Sequence, residues 1–308
     1  MEITFLGTGA GRPMKGRNVT GIALQLPPQH GGTWLFDCGE GTQHQLMQTP
    51  LKLNSVNRIF ITHLHGDHTF GLPGLLSSRA FAGGTDPVWL YGPTGIRAFV
   101  TSCLELTETN LGYELHIQEV EAPGVVMEDE FGLVEAAELS HRIACFGYRI
   151  VEKPKPGKLD AAKLAERGIM PGPLYGRLKQ GQDVQLTDGV IIRASEVTGP
   201  ELPGRIVAIL GDTAPCDNAI RLAKDADVMV HEATFEAELS DKAIEYGHST
   251  TLHAAEAARS AGAKRLVLTH FSTRYKAEDA ARLELEAKTI FPPTIAAFDL
   301  LRFRIPRS

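Results

Sequence analysis

The sequence predicts an α/β fold with a mixed sheet in each half of the chain, each sheet covered by helices. Three observations carry that expectation. Short β-branched and aromatic runs recur throughout, the early ones spaced as hairpins. In the later half such runs alternate with helical patterns. Residues with metal-ligand chemistry stand directly behind four of the runs, where α/β sheets place their chemistry. A chain of 308 residues with 43% hydrophobic content can bury one large core or two closely packed halves.

Taken in order, strands are expected at Ile3–Leu6, Val19–Leu26, Trp34–Asp37, Ile59–Thr62, Val88–Tyr91, Gly132–Glu138 and Phe146–Val151. Helices are expected at Thr42–Gln48, Phe70–Ala82 and Gly95–Leu106. In the second of these, Leu72, Leu75, Leu76, Ala80 and Phe81 recur at a spacing suited to packing on a sheet. A later series of strands follows at Arg205–Gly211, Asp227–His231, Arg265–Thr269 and Phe298–Ile305. Its helices fall at Asp217–Lys224, Leu252–Ala261 and Lys276–Phe291.

One stretch breaks this rhythm. Residues 152–201 are rich in Pro, Gly, Lys and Gln and show little core-forming periodicity. Their positive charges, among them Lys155, Lys163, Arg177 and Lys179, are denser before Gln180, yet the segment nets only +1. An insertion of this length reads as a mobile or functional arm, or as a solvated excursion.

Composition sets further bounds. A net charge of −6 argues against gripping nucleic acid through overall charge and leaves room only for a local basic patch. Cys38, Cys103, Cys145 and Cys216 are widely spaced and read as buried thiols in a reducing compartment. No segment approaches the roughly 20 apolar residues of a membrane span. The N-terminus starts acidic at Glu2 and runs straight into a glycine turn, which is a strand rather than a signal peptide. The cytoplasm is the expected location.

The chemistry concentrates in His63-Leu64-His65-Gly66-Asp67-His68. Three imidazoles and a carboxylate in six residues are hard to satisfy without a metal, and this donor set suits Zn²⁺, with Mn²⁺ or Fe behind it. Given 11 His in 308 residues, chance supplies on the order of 10⁻³ such matches. His141, Asp212 and His270 each follow a predicted strand, as His63 does. Seven ligands suffice for two ions. The spacing places His63, His65 and His141 on one, Asp67, His68 and His270 on the other, with Asp212 shared between them. Such a centre hydrolyses phosphodiesters, esters or amides. Glu232, in His231-Glu232-Ala233-Thr234, and His248, in a polar loop, could form an acid pair that protonates a leaving alkoxide. His248 could equally precede an ordinary helix cap.

These residues resemble the metallo-β-lactamase superfamily, a resemblance that implies a four-layer αββα sandwich with a dinuclear site at its edge. Further segments narrow it: Phe5-Leu6-Gly7-Thr8-Gly9, Arg17-Asn18, Phe36-Asp37-Cys38-Gly39-Glu40-Gly41-Thr42-Gln43, His231-Glu232-Ala233-Thr234, Gly247-His248-Ser249-Thr250 and His270-Phe271-Ser272 through Arg274-Tyr275. Together these resemble tRNase Z (RNase Z), in the bacterial short form that includes RNase BN, over essentially the whole chain as one domain, 1–308. Gly168 to Gly181 is similar to that family's flexible tRNA-binding arm, which would make Gly172, Pro173, Arg177 and Lys179 tRNA contacts.

The resemblance implies a zinc-dependent endoribonuclease with two Zn²⁺ per subunit, Mn²⁺ or Mg²⁺ also supporting activity. It would remove the 3′ trailer of precursor tRNA by metal-hydroxide attack 3′ of the discriminator nucleotide. The products would be a tRNA 3′-hydroxyl and a 5′-phosphorylated trailer, with 3′ exonuclease trimming as a further activity. Asp67 would accept a proton, Glu232 and His248 would donate one, and Arg17, Asn18, Ser272 and Arg274 would contact phosphate or the terminal nucleotide. A homodimer is implied, the arm of one subunit serving the other's active site. The rival on the residues alone is another dinuclear hydrolase, a small-molecule phosphodiesterase or thioesterase; a redox di-iron module is a second.

Overall fold

In the computed structural model, which describes residues 1–307, the first sheet contains β1 (Glu2–Gly7), β2 (Gly21–Gln25), β3 (Thr33–Phe36), β4 (Val56–Phe60), β5 (Val88–Pro93) and β6 (Leu115–Val120), neighbours in that order. Strands β1 to β3 pair antiparallel and β3 to β6 parallel. The chain then forms β7 (Gly124–Glu128), β8 (Gly132–Glu138) and β9 (Phe146–Glu152). Next comes a small hairpin of β10 (Val184–Gln185) and β11 (Ile191–Ile192). The remaining strands are β12 (Ile206–Ile209), β13 (Val228–Glu232), β14 (Leu266–Thr269), β15 (Thr294–Ala296) and β16 (Arg302–Arg304). The second sheet runs β15-β14-β13-β12-β9-β8-β7, with β12 to β15 parallel, and β16 returns to the outer edge of β1.

Alternation along the strands sorts side chains into layers. Ile3 and Phe5 of β1, Phe60 behind Ile59, Val207 and Ile209 of β12 and Val267 of β14 join one apolar cluster between the sheets. Their neighbours Leu6, Ile59 and Ile61 instead meet Leu72, Leu75 and Leu76 of a covering helix, and Ala208, Leu210, Leu266 and Leu268 meet Ala254, Ala255 and Ala258 of another. Period-2 strands with apolar residues on both faces demand cover on both sides, and the result is helix, sheet, sheet, helix. Phe60 stacks between Phe36 and Tyr91 with centroids 5.0 and 4.9 Å away, and the Tyr148 hydroxyl donates to the Ile61 carbonyl at 2.6 Å. These contacts fix the end of β4, from which the ligand loop departs.

Several expectations need correction. The strand expected at Val19–Leu26 is only Gly21–Gln25, and the one expected at Ile59–Thr62 is Val56–Phe60. Asp37 is not in the strand before it but turns out at φ 59°. The helix expected from Phe70 begins at Leu72, after a separate turn of helix at Gly66–Thr69, and Phe81 is 92% exposed rather than packed on the sheet. Of Phe298–Ile305 only Arg302–Arg304 is strand, because Leu300 takes φ 67°. Strands β6, β7 and β15 and the helix Ser240–Glu245 were not expected.

The insertion is also more ordered than its composition suggests. Residues 152–205, with Pro306 and Arg307, form a compact unit of their own. Helices Ala161–Glu166, Pro173–Lys179 and Ala194–Val197 and the β10–β11 hairpin enclose Leu164, Ile169, Leu178, Val184, Ile192 and Val197. Its apolar residues are too few and too scattered to show a helical or strand period, yet they suffice for a miniature core.

Candidate metal centre and acid pair

Strand ends deliver every ligand-type residue. His63 and His65 lie in the loop after β4, and Asp67 and His68 in the short helix Gly66–Thr69 that follows. His141 follows β8, Asp212 follows β12, and His270 follows β14 at φ 58°. Two left-handed non-glycine residues, Asp37 and His270, thus sit at one site, where such strain is commonly held.

The ligand atoms converge in two groups. His63 Nε2 lies 3.0 Å from His65 Nδ1, which lies 3.3 Å from His141 Nε2. In the second group, His68 Nε2 and His270 Nε2 are 3.2 Å apart, and Asp67 Oδ2 is 3.4 Å from His270 Nε2. Asp212 Oδ2 reaches both, at 3.7 Å from His63, 3.5 Å from His68 and 3.4 Å from His270. The structure therefore brings together all seven predicted ligands, in the two sets expected, with Asp212 between them.

The opposite nitrogens of four rings are occupied. Thr62 Oγ1 is 3.0 Å from His63 Nδ1, Asp37 Oδ2 is 2.7 Å from His68 Nδ1, the Gly247 carbonyl is 2.7 Å from His141 Nδ1, and Thr234 Oγ1 is 2.9 Å from His270 Nδ1. Thr62 donates its own proton to Asp37, and Thr234 donates to Glu232 Oε2 at 2.7 Å, so each hydroxyl is left to accept from its imidazole N–H. That fixes the tautomer whose free nitrogen faces the cluster, the arrangement that metal-ligating histidines adopt.

Electrostatics agree with a cation site. Burial pushes His63 well below the ordinary imidazole value and lowers His65 and His141, favouring the neutral ligand form. Burial opposes ionisation of Asp212, yet His270 and His68 hold its carboxyl well below the usual range. At His68, burial is outweighed by Asp212 and Asp37, which draw a proton onto the ring. A metal would take that proton's place, since ligands bind it deprotonated. Two imidazole nitrogens 3.2 Å apart beside two carboxylates make a donor set that fits a divalent metal.

The acid pair is equally well built. Glu232 closes β13 and is buried. Its Oε1 accepts from His248 Nδ1 at 2.9 Å, from the Ser249 N–H at 2.9 Å and from the Thr213 N–H at 3.2 Å. Its Oε2 accepts from the Thr234 N–H at 2.9 Å as well as from the Thr234 hydroxyl. Burial would neutralise Glu232, but these donors and His248 above all keep it ionised. Burial likewise works against a charged His248, and Glu232 overcomes it, raising that ring to about 9. The Thr250 hydroxyl, not His248, caps helix Thr251–Ala261 by accepting from the His253 N–H. His248 also lies near Asp212 and His270, 3.8 Å from Asp212 Oδ2, but its Nδ1 is committed to Glu232.

The other expected residues take diverse places. Arg17 is buried over the Phe271 ring at 4.8 Å, with Nη1 lacking a hydrogen-bond partner among the described residues. The Asn18 side-chain amide donates to the Glu40 carbonyl, while its backbone N–H donates to Asp299. Arg274 is exposed, donates to Ser272 Oγ at 3.2 Å and lies over Phe235. In the inserted unit, Gly172 precedes Pro173 at the start of a seven-residue helix carrying exposed Arg177 and Lys179. Sequence reasoning missed Asp37, Thr62 and Thr234 as partners of the ligands. Asp37 had a signal, since it too stands directly behind an apolar strand.

Known proteins agree with this architecture. A sequence profile for the β-lactamase superfamily domain matches residues 175–271, and one for the anti-Pycsar protein Apyc1 matches residues 1–117. The chain is 53% identical to "Ribonuclease Z" of Geobacillus kaustophilus over 307 residues, covering all of both chains, and 52% identical to that of Bacillus cereus with the same coverage. It belongs to the ribonuclease Z family. Human tRNase Z, short form, superposes with a TM-score of 0.74 at 34% identity over 99% of this chain and all of that one. The fold is thus the metallo-β-lactamase fold of ribonuclease Z, and its His/Asp cluster has the donors to hold a divalent metal.

Proposed function

We propose that this chain removes the 3′ trailer from precursor tRNA, cutting the phosphodiester 3′ of the discriminator nucleotide to leave a tRNA 3′-hydroxyl and a 5′-phosphorylated trailer. The observation that carries this reading is full-length identity above 50% with ribonuclease Z, joined to a proton-donating pair beside a metal cluster. His63, His65 and His141 would hold one ion and Asp67, His68 and His270 the other, with Asp212 shared, zinc being the metal that the donor set favours. When bound, such a pair supplies the Lewis acidity that acidifies water and neutralises charge on the phosphate.

This chain's own residues do the rest. His248, kept charged by Glu232, gives its proton to the departing 3′-oxygen, and Glu232 retains its place through its backbone and hydroxyl donors. Asp67, anchored by the Gly11 N–H at 2.6 Å, is the proton acceptor. Arg17, Asn18, Ser272 and Arg274 position phosphate and the terminal nucleotide. Residues 152–201 act as a flexible arm whose Gly172, Pro173, Arg177 and Lys179 hold the tRNA body by charge and backbone. In a homodimer the arm serves the partner's site. Trimming of the trailer by 3′ exonuclease action accompanies the cut, and the work takes place in the cytoplasm. No helix among the described residues is long and apolar enough to cross a membrane.

The test is incubation of the metal-analysed protein with a 3′-extended precursor tRNA, mapping both product ends. Beside it runs a variant in which residues 153–204 are replaced by a short glycine linker. A cut after the discriminator with two metals per chain, lost when the arm is removed though metal content is kept, is the expected result. No cut by the fully metallated wild type would overturn the tRNA reading, and undiminished cutting without the arm would overturn the arm's role.

A further inference from the structure

Phe70 is 67% exposed although it leaves the metal-ligand loop two residues after buried His68. A large aromatic ring bared beside a catalytic cluster invites a partner of its own. Its orientation is fixed from below: the ring lies against Gly66, where an added methyl group would fall 2.2 Å from the ring edge. The Phe70 N–H donates to the Gly66 carbonyl at 2.9 Å, closing the turn that holds it there. Phe70 forms one wall of a cavity of about 340 Å³ that also includes Arg12, Pro13, Glu40, His65 and Asp67. That volume falls within the roughly 300–1,000 Å³ range of small-ligand sites. Arg12 is exposed and makes no ion pair among the described residues, so it presents a cation at the rim. Glu40 offers a carboxylate that can accept from an exocyclic amine.

Asp67 lines the cavity, whereas neither Glu232 nor His248 does. Asp67 touches His270 at 3.4 Å, and the His270 ring in turn stacks on His248 with centroids 5.6 Å apart, so His270 stands between them. A phosphodiester over the cluster has its departing 3′-oxygen at His248. The nucleotide that carries this oxygen is the discriminator and lies on that side. The trailer nucleotide, held through the 5′-oxygen that stays on phosphorus, leaves the cluster by a different face from the one at His248, and the cavity walled by Phe70 opens beside Asp67.

We propose that Phe70 is the stacking platform for the base of the first trailer nucleotide, with Arg12 at the rim facing the phosphate that follows it. The proposal rests on the precursor-tRNA reading and adds a residue that sets the position of the scissile bond. Stacking accepts any base because every base has a π-face, so this device would place the cut without reading trailer sequence.

The experiment is a double-mutant cycle in kcat/KM. Wild type, Phe70→Ala and Phe70→Trp, all with metal content measured, are given an intact precursor tRNA, one abasic at the first trailer position and one abasic at the discriminator. Loss of one stacked base costs roughly tenfold. The expected result is a loss of that size for Phe70→Ala on the intact substrate, retention by Phe70→Trp, and an equal loss for wild type on the trailer-abasic substrate. Phe70→Ala should lose nothing further on that same substrate. Losses that multiply, coupling to the discriminator base instead, or a Phe70→Ala enzyme equal to wild type would each overturn the assignment. A wild type that leaves the intact precursor uncut would sink the tRNA reading itself, a failure visible before any variant is compared.

Discussion

Single residues carry the chemistry here because their protonation is set by neighbours far away in sequence. His248 owes its raised value to Glu232, sixteen residues earlier, against the opposing effect of burial. A general acid must be protonated, so a ring held at about 9 would keep His248 competent in its proposed role through neutral pH, losing that only as pH rises past that value. Glu232→Gln removes the main cause of the raised value. The alkaline limb of the kcat/KM profile should then move down by about two pH units, as expected for loss of one opposite charge. An alkaline limb that stays in place would show that another group donates the proton. The candidate ligands themselves were legible because four of them sit in six consecutive residues, a density that suits a metal site. Their supports were not legible. Asp37, Thr62 and Thr234 are ordinary residue types, and only the folded sheet brings Asp37 within 2.7 Å of His68.

At the scale of elements, periodicity revealed the strands buried on both faces, such as Arg205–Gly211 and Arg265–Thr269, and left β6 and β7 unseen. Both lie at sheet edges, where half-exposed sequences such as Leu115–Val120 mix charge with apolar residues and no clear period survives. The insertion hid its core for the same reason. Its root is a buried ion cluster: Glu152 accepts from Arg205 Nε at 2.6 Å and Nη2 at 2.9 Å, and Arg307 Nη2 approaches at 2.5 Å. Burial favours the neutral acid, but Arg205 and Arg307 outweigh it and bring Glu152 down to about 2. A carboxyl lowered in the folded state stabilises that state above its unfolded value of about 4.3, and the contribution fades as pH falls toward 2. Glu152→Gln should therefore weaken the inserted unit at neutral pH by about 3 kcal/mol and flatten its acid sensitivity. Thermal unfolding from about pH 7 to about pH 2.5, beside limited proteolysis of residues 153–204, checks this. A variant with wild-type acid sensitivity would refute the role given to Glu152.

For the molecule as a whole, the proposed metal ligands come from both sheets. His63, His65, Asp67 and His68 leave β4 of the first sheet, whereas His141, Asp212 and His270 leave β8, β12 and β14 of the second. Each proposed ligand set draws on both, so metal binding there would tie the two sheets at their edge in addition to the apolar layer between them. The sequence foretold this architecture through one regularity, ligands behind strands, because a two-sheet sandwich with a shared edge is the arrangement that unites four strand ends. Binding to the folded state alone stabilises it by about 4 kcal/mol when free metal is a thousandfold above its dissociation constant. For a chain of this size that is on the order of 10 °C in Tm. Chelation should accordingly lower Tm by roughly that amount in one cooperative transition, with the secondary structure seen by circular dichroism intact at 25 °C. Asp212→Asn, which weakens the shared ligand, should shrink the gap between the metallated and chelated forms. A chelated wild type that melts at the metallated temperature would mean that the hydrophobic layer alone joins the sheets. Two separate transitions after chelation would mean that the ions, and not this layer, make the sheets unfold together.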